Sequence, residues 1–123
     1  MYHPLKIKTF NKCLNEYPHY QDRINKAIDK ICVDPYYRSH LLKQKESDLR
    51  GKRAYHVGDG KNFLIIFIIC EECIEKGFKN KYNSCSFCDE ITDIKTIIFL
   101  LFGPHEKSYK WESNLNAHLH NLL

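Results

Sequence analysis

The stretch Arg53–Cys70, RAYHVGDGKNFLIIFIIC, decides how the fold is read. RAYHV has the character of a strand, GDGK that of a turn, and NFLIIFIIC that of a continuous apolar strand covered on both faces. A second run of the same kind, TDIKTIIFLLFG (Thr92–Gly103), ends where Gly103–Pro104 stops it. Both apolar cores fall far short of the roughly 20 residues a membrane helix needs. Two buried strands therefore anchor one sheet, with RAYHV beside them and antiparallel pairing expected.

Upstream the period changes. PLKIK (Pro4–Lys8) predicts a short strand. Phe10, Cys13, Leu14 and Tyr17 then fall at i, i+3, i+4 and i+7, one face of a helix. Pro18 interrupts it, and Tyr20, Ile24, Ala27, Ile28 and Ile31 make the stripe of a second helix that Asp34–Pro35 ends. Downstream, Trp111, Leu115, Leu119 and Leu122 predict a C-terminal helix. The expected fold is α+β: an N-terminal strand and two helices packed on a mainly antiparallel sheet of about four strands, with a helical tail. The expected division is a domain over 1–110, carrying an insert at 70–88, and an extension over 111–123.

At 123 residues the chain can bury a core without disulfides, and 43% hydrophobic with 28% charged residues is ordinary globular usage. The N-terminus, MYHPLKIKTF, lacks the apolar stretch of a signal peptide. The expected location is the cytoplasm, with no membrane association, where thiols stay reduced and paired cysteines read as metal ligands. The formal net charge of +4 is concentrated. Arg38, Lys43, Lys45, Arg50, Lys52, Arg53 and Lys61 face only Glu46, Asp48 and Asp59 within one segment, a charge that suits a polyanion such as RNA.

The insert, CEECIEKGFKNKYNSCSFC, holds two CxxC pairs, Cys70/Cys73 and Cys85/Cys88, eleven residues apart. Two such knuckles make a closed four-thiolate site for one zinc ion, or iron, which stabilises and does not catalyse. Gly77 offers the reversal between them. Its charges are balanced, Lys76, Lys79 and Lys81 against Glu71, Glu72 and Glu75, which argues against a nucleic-acid-binding knuckle. Cys13 and Cys32 read as core thiols.

Three histidines stand near strand ends or loops: His40, His56 and His105. Together they form a candidate acid–base set, because histidine changes charge near neutral pH. DPYYRSHLLKQKESDLRGKRAYHVGDGKNFLIIFII followed by FGPHEKSY resembles the RelE superfamily of toxin endoribonucleases, in the pattern of its YafQ branch. The resemblance spans roughly residues 5–110 in element order. Position by position it implies catalytic roles for His40, His56 and His105, with Tyr109 as the closing aromatic, Asp59 as the acidic residue and Phe63 in the place of a tryptophan. It also implies attack of a 2′-hydroxyl on the neighbouring phosphorus, without a catalytic metal, in mRNA on the ribosome. The implied partner is a small antitoxin, in a dimer or a heterotetramer. The chain departs from the family at Leu64, where many relatives carry arginine, and in the cysteine insert; Arg50 or Arg53 is the expected replacement. The competing expectations are a ParE-like toxin that inhibits gyrase and a non-catalytic zinc-knuckle module.

Overall fold

Two amphipathic helices lie against one face of a sheet whose central strands are buried on both. The computed structural model describes residues 1–42, 51–57, 63–78 and 93–104. The expected tail helix at 111–123 lies outside these, as does most of the insert.

Helix α1 (Lys8–Glu16) buries Thr9, Phe10 and Cys13. It ends because Pro18 disfavours helical geometry at Tyr17, which sits at φ −126°, ψ 64°. A single 3-10 turn (Pro18–Tyr20) leads into α2 (Gln21–Val33), which buries Ile24, Ala27, Ile28, Ile31 and Cys32. Asp34, before Pro35, is extended and closes α2. The periodicity-based helices and the core thiols are thus where the stripe residues placed them.

Among the described residues the sheet has five strands in the order β1-β5-β4-β3-β2. They are β1 (His3–Lys6), β2 (Ser39–Leu41), β3 (Arg53–His56), β4 (Phe63–Ile69) and β5 (Thr96–Pro104). β1 runs parallel to β5, and every other pair is antiparallel. Leu64–Ile69 of β4 and Thr96–Gly103 of β5 are buried throughout, as continuous apolar strands should be. A register shift between Ile66 and Phe67 pairs them with Leu101 and Phe99, leaving Leu100 as the extra residue of a bulge. Phe10 packs on Phe99 and Phe102, at 5.6 and 5.4 Å between ring centres, so the helices cover the face that carries these rings.

Three expectations need correction. The first strand ends at Lys6 and Lys8 already opens α1. The sheet has a strand more than expected, because Ser39–Leu41 is too short to show a period. The segment after β4 is not a tight knuckle: Cys70–Lys76 forms helix α3. Glu71 and Glu72 in its first turn and Lys76 in its last oppose the helix dipole, and Gly77 at φ 67° supplies the left-handed cap. Gly77 is the stop of this helix; the expected reversal toward the second cysteine pair lies outside the described residues.

Candidate functional site

Strand pairing brings two of the three histidines together. His40 lies opposite Ala54, two residues from His56, so both side chains leave the same face of β2 and β3. Their rings stack at 5.6 Å between centres, 23° from parallel, and both residues are exposed. His56 in turn pairs with Leu64, which pairs with Gly103 near the end of β5. The same face is buried at Ala54, Leu64 and Ile66, so the imidazoles stand at its open margin. His105, Asp59 and Tyr109 lie outside the described residues.

The basic residues divide differently. Lys43, Lys45, Arg50 and Lys61 lie outside the described residues. Lys52 is fully buried, so its ammonium is not offered to a polyanion in this conformation. Arg53 alternates with Ala54 and therefore points to the face opposite His56. There its guanidinium donates to both carboxylate oxygens of Glu72, at 2.8 Å from Nε and 2.7 Å from Nη2. It also donates to Ser39 Oγ at 3.2 Å and lies 4.9 Å from the Tyr36 ring centre. Arg53 is a cross-brace on the face opposite the histidine pair. Leu64 is on the histidine face and holds a wholly buried apolar side chain. Phe63 is on the helical face, stacked on Tyr20 at 4.3 Å and met edge-on by Tyr17, so it does not join the histidines.

Arg38 takes a left-handed backbone, φ 58°, with its guanidinium 5.4 Å from the Tyr37 ring centre. Both residues line an open cleft of about 570 Å³ with Lys30, Val33, Asp34 and Tyr55, again on the helical side. Sequence reasoning passed over this cleft, whose local signal is Tyr37–Arg38 in DPYYR.

Cys70 and Cys73 are both buried and stand one helical turn apart on α3, a spacing that puts two thiols on one face. Cys85 and Cys88 lie outside the described residues. Between the first two cysteines, Glu71 and Glu72 tie α3 to the rest of the sheet, a function sequence reasoning missed. Lys95 Nζ meets Glu71 at 2.6 Å and the Tyr2 hydroxyl donates to it at 2.9 Å. The Lys95 contact, then the Tyr2 hydrogen bond, hold the Glu71 carboxyl below its ordinary range. Burial pushes the Glu72 carboxyl up, but hydrogen bonds from Arg53 and Lys76 outweigh it and the net shift is downward. Burial raises the Tyr36 hydroxyl, reinforced by Tyr2 and the carboxylates of α3.

No protein-family model matches the chain, and no curated protein does. Among solved structures it is similar to a copper-bound mutant toxin from Helicobacter pylori, with a TM-score of 0.52 and 16% identity over 87% of this chain and 98% of that one. The two share a fold. The solution structure of the conserved hypothetical protein HP0894 from Helicobacter pylori overlaps 86% of this chain and 97% of its own, at 17% identity and a TM-score of 0.44. The α+β architecture expected from the sequence is therefore the observed one, and it is an architecture that a bacterial toxin uses. No helix among the described residues is long and apolar enough to cross a membrane.

Proposed function

We propose that the chain is the toxin of a toxin–antitoxin pair and an endoribonuclease of the RelE type, in the pattern of the YafQ branch. The observation that carries this reading is the His40–His56 stack on the exposed margin of β2 and β3. One imidazole accepts the proton of a 2′-hydroxyl as that oxygen attacks the adjacent phosphorus. Its neighbour donates a proton to the departing 5′-oxygen, leaving a 2′,3′-cyclic phosphate. His105, with Asp59 and Tyr109, belongs to the same proposed set on the sequence resemblance. The proposed substrate is mRNA on the ribosome, the proposed regulator is a small antitoxin, and the proposed compartment is the cytoplasm.

The proposed phosphate cations come from Lys43, Lys45, Arg50 and Lys61, because Arg38 lines the cleft on the helical side, Arg53 is bound to Glu72 and Lys52 is buried. That same shortage favours a second reading, a ParE-like toxin that binds gyrase and cleaves nothing. Primer extension on translated mRNA after induction separates the two. The nuclease reading expects discrete cuts with the wild type and none with His56→Ala or His105→Ala. Intact mRNA together with growth arrest transfers the lead to the gyrase reading.

We further propose that Cys70 and Cys73, with Cys85 and Cys88, hold one structural zinc ion. The helical spacing of the first pair suits two ligands of one ion, and four thiolates leave no open position for chemistry.

A further inference from the structure

Two imidazoles at a fixed separation on an exposed sheet face are also a bidentate donor. A ring bound through nitrogen has its centre about 3.2 Å from the ion, given a metal–nitrogen bond of about 2.0–2.1 Å. Two rings at a tetrahedral angle then stand about 5.2 Å apart. The separation of His40 and His56, 5.6 Å, is a few tenths longer. Their rings are only 23° from parallel, so the nitrogens must converge by rotation about χ2. That torsion has broad wells, and both side chains are exposed. Rotation cannot supply the backbone spacing, and here the backbone is already set. The β2–β3 ladder holds His40 opposite Ala54, and Arg53 braces the same two strands through Ser39 on the opposite face.

We propose that His40 and His56 chelate a divalent first-row ion of the imidazole-preferring group, nickel, copper or zinc, with solvent completing the shell. Nitrogen donors exclude magnesium and calcium, which take oxygen. The site is separate from Cys70. His56 pairs with Leu64 at the start of β4, whereas Cys70 follows its end, about 20 Å away at the rise of a strand. The proposal stands whether or not the pair cleaves RNA. If it does, a bound ion occupies the nitrogens that proton transfer uses, and the metal acts as an inhibitor.

Calorimetric titration of the full chain with Ni²⁺ tests this, with His40→Ala, His56→Ala and Cys73→Ser beside the wild type. The wild type is expected to bind one equivalent that both histidine variants lose, since one imidazole alone is monodentate. Cys73→Ser is expected to keep it. Equal uptake by His40→Ala and wild type overturns the proposal, as does loss of that equivalent in Cys73→Ser alone. Imidazole resonances of the wild type give a second measurement that depends on no variant. Paramagnetic Ni²⁺ should broaden His40 and His56 before His3 and His19, and the reverse order also overturns the proposal.

Discussion

Glu72 holds Arg53 through both carboxylate oxygens, at 2.7 and 2.8 Å, and thereby joins the helix that carries the first cysteine pair to the strand that carries His56. The carboxylate side chain is 1% exposed and the guanidinium 11%, so this is a buried ion pair. Lys76 adds a second cation at 2.8 Å, one turn along α3. Such a pair is not evidence of large net stabilisation, but removing one partner strands the other.

Glu72→Gln should cost roughly 3 kcal/mol, the lower end of the range for breaking a buried pair, because Arg53 keeps Ser39 and Tyr36. The pair should also leave a signature in pH. A carboxyl depressed in the folded state stabilises fully above its unfolded value, about 4.3, and that contribution fades as pH falls below it toward the folded value. Urea unfolding between about pH 3 and 7 should show a steeper acid loss in wild type than in Glu72→Gln. Parallel curves would remove the pair from the account.

Gly77 tests the correction at the end of α3. It sits at φ 67°, and a Cβ built there meets nothing within 4 Å. The only cost of Gly77→Ala is therefore the left-handed backbone, about 1–2 kcal/mol. Gly77→Asn should cost less, since asparagine tolerates that region. Equal stability of glycine and alanine by thermal melting counts against the cap.

What the sequence could reveal follows from what is local. The apolar runs of β4 and β5 and the stripes of α1 and α2 are periodic patterns, legible because burial imposes them. β2 has three residues and no period, so it emerges only once β3 pairs with it. The His40–His56 contact was foreseeable as a candidate because both positions matched one ordered pattern, but the sharing of a face depends on register. Arg53 shows the opposite case. A basic residue in a basic segment looks like a ligand for phosphate, and nothing local reveals a carboxylate 19 residues away on the other face of the sheet. Cys70–Lys76 is a related case: the CxxC spacing suits both a tight turn and a helix, and the two glutamates between the cysteines, in the first turn, favour the helix.

Metal content addresses the cysteines. The purified chain should carry one ion, and Cys73→Ser or Cys88→Ser should lose it together with several kcal/mol of stability, because binding an ion to four thiolates is coupled to folding. Mass spectrometry under native conditions, followed by thermal melting with and without a chelator, checks both parts. A chain that melts identically after complete metal removal has no structural ion.

The histidine pair makes the sharpest demand. His40→Ala and His56→Ala should each reduce mRNA cleavage by about 10²–10⁴-fold, the usual worth of one acid–base group. Neither should alter the melting temperature much, because both side chains are exposed. Groups that transfer protons as a unit are not additive, so the double variant should be little worse than the poorer single one. Two independent cation contacts behave otherwise: their losses multiply, and each weakens as salt rises. Single-turnover cleavage at two salt concentrations, for the wild type, both single variants and the double, separates these cases. Multiplying losses with a changed salt slope would make the imidazoles phosphate contacts and would leave the proton transfers to other residues.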